Sequence, residues 1–149
     1  MKIYFASPFF TPEQIEREER LKSKLRSFGY DVFSPKEAYV CKPNEPIEKR
    51  KEVFKGNIDN IIDADAIFVV TDDKDMGTIW EAGFANGLNA ARDNKILVIY
   101  YTETLAPGKS FNLMLAQSGD IIITKYEDME KLPTLIESGE KIEYTGEIQ

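Results

Sequence analysis

The chain has 149 residues, 42% of them hydrophobic and 30% charged, enough to build a core and sheath it in charge. Lys plus Arg number 19 against 26 Asp plus Glu, a net charge of −7, so no basic face for nucleic acid is visible. With no histidine and the single Cys41, the chain excludes Ser-His-Asp and Cys-His triads, HExxH zinc sites and an internal disulfide.

Lys2–Ala6 reads as a short buried strand. Thr11-Pro12-Glu13-Gln14 then supplies a capping Thr, a Pro at the first helical position and a Gln three residues after the cap. That opens a charged amphipathic helix to about Phe28, stopped by Gly29. Asp31–Ser34 is a second strand ended by Pro35, and residues 35–46, with three prolines and Cys41, read as loop. Apolar positions at Ile47, Val53, Phe54, Ile58, Ile61 and Ile62 mark a helix from Ile47 to about Ile62. Ala66–Val70 is a continuous apolar run, as in a strand buried on both faces. A polar turn, Thr71–Gly77, leads to a helix from about Ile79 to Ala91, and Lys95–Tyr101 is another buried strand. A loop with Pro107 and Gly108 precedes a short helix at Phe111–Leu115. Asp120–Thr124 is the fifth strand and Glu127 to about Ser138 the last helix. The polar tail 139–149 is left either loose or docked on a neighbour.

Strands alternating with helices imply right-handed crossovers and a parallel sheet covered on both faces. The expected fold is α/β: one domain over 1–149, a doubly wound, flavodoxin-like five-stranded parallel sheet of order 2-1-3-4-5. Ligands in such sheets sit beyond the carboxyl ends of the strands, near the switch point between strands 1 and 3. No apolar run approaches the ~20 residues that span a bilayer, and Met1-Lys2-Ile3 reads as a strand start and not a signal peptide. A single cysteine fits a reducing cytoplasm, so a cytoplasmic protein without membrane or nucleic-acid partners is expected.

The densest chemistry lies in Thr71-Asp72-Asp73-Lys74-Asp75-Met76-Gly77-Thr78-Ile79-Trp80-Glu81-Ala82-Gly83-Phe84-Ala85. Spacing alone describes a capping box of Thr78 with Glu81, with acids placed against the helix dipole. The same geometry also aims Glu81 at the ligand edge of the sheet, held ionised by helix-terminal N–H groups. An ionised, immobilised carboxylate there is what attack on an anomeric carbon requires. Gly83 and Ala85 would let this helix pack closely on the first strand.

Tyr4-Phe5-Ala6-Ser7, Asp75-x-Gly77-Thr78-x-Trp80-Glu81-x-Gly83-x-Ala85 and Phe111-Asn112-Leu113-Met114 together resemble the nucleoside 2-deoxyribosyltransferases, in the family's order and with similar spacing. The resemblance implies transfer of 2-deoxyribose between nucleobases by a retaining double displacement, without cofactor or metal. Glu81 would be the nucleophile, through a covalent deoxyribosyl ester. Tyr4 would orient Glu81, and Asp75 would read the sugar 3′-hydroxyl. Phe10, Asn57, Asp72 and Gly77 would line the substrate site. Asn112 and Met114 would come from a neighbouring subunit to cover the 5′-hydroxyl side, making a homo-oligomer part of the mechanism. The partners implied are 2′-deoxynucleosides and free nucleobases.

One position departs from the family pattern. Some members carry an Asp on the second helix that handles the departing base and its proton; here Asn57 stands there, with Asp59 two residues on. An amide can hydrogen-bond a base but cannot protonate it, so the proton donor stays open. The alternative on the same scaffold is a deoxynucleoside 5′-monophosphate N-glycosidase, for which Lys109-Ser110 would hold the phosphate. A non-catalytic signalling or binding module is the third reading. A phospho-receiver built on Asp72 and Lys125 lacks the acids it needs after strand 1, where the chain reads Ala6-Ser7-Pro8-Phe9.

Overall fold

Period-two alternation along β1 (Lys2–Ala6) divides the core in two: Ile3 and Phe5 face one side of the sheet, Tyr4 and Ala6 the other. In the computed structural model, which describes residues 1–105 and 108–149, β1 lies between β2 (Asp31–Phe33) and β3 (Ala66–Val70). β4 (Leu97–Tyr101) and β5 (Ile121–Ile123) complete a sheet of order 2-1-3-4-5, every pair parallel. The doubly wound α/β fold expected from the sequence is therefore present. All five residues of β3 are buried, because helices cover both faces of this central strand.

Leu21 and Leu25 of α1 (Pro12–Ser27) and Leu132 of α6 (Leu132–Ser138) pack on the Ile3/Phe5 face. The Tyr4/Ala6 face is covered by α3 (Ile47–Ile62), α4 (Met76–Ala91) and α5 (Leu113–Ser118), through Ile61, Ala82, Ala85 and Ala116. The predicted α1 capping box forms. Thr11 Oγ1 accepts from Gln14 N at 3.3 Å, and Gln14 Oε1 accepts from Thr11 N at 3.3 Å. Gly29 ends this helix with φ +88°, a conformation that penalises any side chain.

Several boundaries differ from the expectation. Pro35–Ala38 is a helical turn, α2, where a loop was expected, because Pro35 starts it and a buried charge cluster fastens it to α1. Lys22, only 2% exposed, faces Glu18, Glu19 and Glu37, while Ser34 and Lys36 also donate to Glu18. A 3₁₀ turn, Asp72–Lys74, occupies the expected polar turn, and α4 begins at Met76 rather than Ile79. Gly83 is exposed, with open space where a Cβ would stand; close helix–sheet packing comes from Ala82 and Ala85 instead. α5 starts at Leu113, and a 3₁₀ segment, Tyr126–Lys131, precedes α6. The expected 102–111 loop is described apart from residues 106 and 107, so Pro107 lies outside the described residues.

The tail is neither loose nor in need of a neighbour. Ile142 N donates to Asp120 O, Tyr144 packs on Phe111, and Ile148 forms a parallel bridge with Phe111. Among the described residues, no helix is long and apolar enough to cross a membrane.

Candidate active site

Tyr4 projects from β1 toward α4 because even-numbered residues of that strand face the α3/α4 layer. Its hydroxyl donates to Glu81 Oε1 at 2.7 Å, joining positions 77 residues apart. Glu81 sits in the second turn of α4 and is not part of a capping box. The cap is Asp75, whose Oδ2 accepts from Thr78 N at 2.8 Å and Thr78 Oγ1 at 2.9 Å. Asp75 and Thr78 are both capping residue types, so sequence alone does not choose between them; the turn of the backbone after β3 does.

That turn is tightly held. Asp73 and Lys74 adopt φ of 68° and 53°, a conformation costly for residues with a Cβ. Arg17 Nη1 bonds Asp73 Oδ2 at 3.0 Å while its Nε bonds Glu103 Oε1 at 3.0 Å, tying the β3 exit to the β4 exit. Gly77 is small for a reason: a Cβ there would stand 3.3 Å from Asp75 Oδ2, crowding the capping carboxylate.

No backbone N–H among the described residues reaches Glu81, which corrects the expectation that helix-terminal donors hold it ionised. Burial pushes the carboxyl up to about 7, against the lowering effect of the Tyr4 hydrogen bond, and the nearby Asp75 charge adds to the rise. Tyr4 itself is pushed far up by burial and by the Glu81 charge, so it stays a hydrogen-bond donor. At neutral pH, Glu81 is thus a carboxylate held by one donor, poised near its titration point and only weakly stabilised as an anion.

Glu81 opens onto a cavity of about 250 Å³ whose lining includes Ser7, Phe9, Phe10, Asn57, Asp75 and Gly77. Phe10 is 70% exposed and leans on Phe9, their centroids 4.9 Å apart, as an aromatic wall at the mouth. Proline 35, Tyr39, Val40 and Cys41 close another side. A second groove of about 190 Å³ reaches Glu81 between α3 and α4, lined by Phe54, Ile58, Ile61 and Trp80.

Of the residues expected at the site, Tyr4, Phe10, Asn57, Asp75, Gly77 and Glu81 are brought together, and three are not. Asp72 is 2% exposed and faces the β4 exit, where Thr102 Oγ1, Glu103 N, Thr104 N and Thr104 Oγ1 all donate to it. A carboxylate so saturated, and absent from the cavity lining, latches the β3 exit to the β4 exit. Asn112 caps α5, its Oδ1 accepting from Met114 N at 3.0 Å and Leu115 N at 3.3 Å. Met114 is 72% exposed, and neither lines the cavity of its own chain. Asp72, Asp73 and Asp75 diverge toward the β4 exit, Arg17 and the α4 cap. Among the described residues no group of three or more potential metal ligands is gathered.

The sequence profile of the nucleoside 2-deoxyribosyltransferases matches residues 3–117, a span that contains Tyr4, Asp75, Glu81 and Asn112. The chain belongs to the nucleoside 2-deoxyribosyltransferase family. It is an enzyme of that family, and its fold agrees. The 2-deoxyribosyltransferase of the psychrotolerant bacterium Bacillus psychrosaccharolyticus superposes with a TM-score of 0.75 at 32% identity, over 91% of this chain and 96% of that one. A conserved protein from Enterococcus faecalis V583 matches at a TM-score of 0.73 and 18% identity, over 89% of this chain and 97% of that one. The CMP N-glycosidase BcmB of Clostridium botulinum matches at 0.57 and 14% identity, over 92% and 99%; both likenesses are of fold. No curated protein sequence matches significantly.

In this deoxyribosyltransferase, the residues that sequence reading missed are those that brace the site. Arg17 and Glu103 are hidden among the many charges of α1 and of a polar loop, where nothing in spacing separates a buried ion pair from a solvated one. The tail is the other omission. Phe111 N donates to Glu147 O at 2.8 Å, Leu113 N to Gln149 O at 2.9 Å, and Gln149 N to Phe111 O at 3.0 Å. These bonds brace the segment that carries Asn112 and Met114.

Proposed function

We propose that this deoxyribosyltransferase exchanges bases on 2′-deoxynucleosides through a covalent deoxyribosyl ester on Glu81. The observation that carries the reading is the Tyr4–Glu81 hydrogen bond of 2.7 Å, which fixes a half-buried carboxylate at the edge of a cavity of about 250 Å³. Glu81 Oε attacks C1′ from one face as the C1′–N bond breaks, and the bonding pair leaves with the base. A second base then attacks C1′ from the vacated face, and the glutamate leaves as carboxylate. Two inversions restore the starting configuration.

Other side chains have roles that follow from their placement. Tyr4 holds Glu81 in one rotamer and stabilises its anion, so the attacking oxygen needs little reorganisation. Asp75 Oδ2 is consumed by the helix cap, and its other oxygen is the acceptor for a sugar hydroxyl. Phe9 and Phe10 offer π-faces for the base. Because Glu81 must be ionised to attack, donor kcat/KM should rise with pH through about 7.

The site is completed by a second copy of the chain. The groove beside Glu81 is apolar, and Phe54, Trp80 and Phe84 form an aromatic ladder with centroid spacings of 5.7 and 5.6 Å. Phe54 and Trp80 are 56% and 50% exposed, Met76 is 87% exposed, and Met114 protrudes elsewhere on the same chain. A groove and an apolar knob on one chain suit a two-fold pairing that seats each knob beside the other copy's Glu81. Trp80→Glu should convert the oligomer to monomer in sedimentation velocity and lower exchange with it. The single exposed Cys41 fits a reducing, cytoplasmic setting.

The deciding experiment is chromatography of the protein with thymidine plus adenine, with thymidine alone, and with dTMP. Deoxyadenosine formed only with adenine, together with a deoxyribosyl mass increment on the peptide bearing Glu81, is the expected result. Release of deoxyribose phosphate from dTMP without an acceptor would make the enzyme a nucleotide hydrolase. Against that second reading, the Ser110 hydroxyl is already committed, donating to Gln149 Oε1 at 3.0 Å.

A further inference from the structure

The cavity beside Glu81 carries its ionised groups at one end. Among the described residues the carboxylates lining it are Glu81 and Asp75, both on α4 or its cap, where the sugar sits in the reading above. Apart from the Cys41 thiol, on the side formed by Pro35, Tyr39 and Val40, the remaining lining offers few protons. Ser7 Oγ donates to Pro8 O, and Thr78 Oγ1 donates to Asp75. The Tyr39 hydroxyl donates to Glu45 Oε2 at 2.9 Å, a bond that raises its pKa and weakens it further as an acid. Asn57 is half-buried, faces both the cavity and the groove, and makes no side-chain hydrogen bond among the described residues. Its amide can donate a hydrogen bond to a base but cannot give up the proton.

We propose that the departing base leaves without a protein general acid, so that donors are selected by the acidity of the base they release. The proposal rests on Glu81 being the nucleophile. As Glu81 Oε bonds C1′, the glycosidic pair stays on the base nitrogen and the base departs as its anion. The Asn57 amide hydrogen-bonds that anion, and water protonates it once it is free. In the second half the acceptor base loses its N–H proton to water, attacks C1′ as the anion and expels the Glu81 carboxylate, as microscopic reversibility requires. Nucleosides of uracil-type bases, whose free base has an acidic N1–H, are therefore preferred to those of cytosine, whose N1–H is much less acidic. Asn57 is the residue that sets this preference.

The test is donor kcat/KM, with one saturating acceptor, for 5-fluoro-2′-deoxyuridine, 2′-deoxyuridine and 2′-deoxycytidine. Fluorine acidifies the base while adding little bulk, so the first pair separates acidity from size. The 5-fluoro donor should exceed its parent roughly tenfold, and 2′-deoxycytidine should fall below both by a larger factor. Asn57→Asp, compared on the plateau of its own pH profile, should narrow the fluoro-to-parent ratio and raise 2′-deoxycytidine use by about 100-fold. A wild-type ratio near one overturns the proposal, because an acid is then being supplied. So does a fluoro-to-parent ratio that steepens in Cys41→Ala, which would make the thiol that acid. A ratio unchanged in Asn57→Asp removes Asn57 from the role. Absence of exchange, and of any Glu81 ester, with all donors would instead refute the nucleophile reading on which the proposal stands.

Discussion

Two glutamates at the carboxyl edge of one sheet carry the same first partner and reach opposite states. Glu81 receives the Tyr4 hydroxyl at 2.7 Å, and Glu103 receives the Tyr101 hydroxyl at 2.6 Å. Burial pushes both carboxyls up. At Glu103, hydrogen bonds from Tyr101, Arg20 and Arg17 outweigh burial and hold the group below its ordinary value. At Glu81 the Tyr4 hydrogen bond opposes burial alone among the described residues, Asp75 adds its repulsion, and the group rises to about 7. What separates a reactive carboxylate from a structural one here is the two arginines, not the tyrosine. Glu103 is satisfied and holds the Arg17 brace in place. Glu81 keeps a carboxylate with one donor facing the cavity, the state that the proposed attack on C1′ needs.

The sharpest way to break this comparison is Glu81→Gln. An amide of the same shape should abolish exchange, by at least about 10³-fold, in the chromatographic assay. It should also reveal the cost of the raised pKa. The folded protein holds the Glu81 proton more tightly than the unfolded chain does, so stability is lost as pH rises from 4.5 to about 7 and stays lost above it. Glu81→Gln should therefore be more stable than wild type by about 1–3 kcal/mol at pH 8 and nearly equal at pH 4.5, in urea melts at both pH values.

Next in size is Tyr4→Phe. Removing the lone donor should lower kcat about 10- to 100-fold and move the pH limb upward, since that hydrogen bond holds the Glu81 pKa down. A loss of kcat with an unmoved limb would reduce Tyr4 to packing. Arg17→Met probes the other glutamate. With two ion pairs broken, one to a half-exposed Asp73, it should cost about 2 kcal/mol in a urea melt while leaving the pH limb of exchange in place. The smallest effect belongs to Gly83→Ala on the outer face of α4, where a methyl meets nothing within 4 Å. It should stabilise by about 0.5–1 kcal/mol and leave kcat/KM unaltered.

How far these features are readable before folding depends on their range. The continuous apolar runs of β3 and β4 announce strands buried on both faces. Thr11 through Gln14 announces the start of α1, because a capping box is contained in four consecutive residues. The start of α4 is misread because Asp75 and Thr78 compete as caps within the same few residues. Helix α2 is missed because what stabilises it is Lys22 and Glu18, contributed by a different helix. At the site, the motif residues Asp75, Gly77 and Glu81 arrive together because one turn of chain carries them all. Asp72 sits in the same run yet faces away, since the reversal at Asp73 and Lys74 turns it toward Thr102 and Thr104.

Local spacing and composition are properties of neighbouring residues, and they determined the strand order, the absence of histidine chemistry and the carboxylate that stands at the ligand edge. Protonation, partner count and exposure are properties of what folding brings within a few ångströms. Only the tertiary structure therefore decided that Glu81 is raised to about 7, that Asp72 turns to the β4 exit, and that the tail braces the Asn112 segment. A carboxylate's pKa is set by burial against the donors around it. Among the described residues the donor to Glu81 is Tyr4, 77 positions away along the chain.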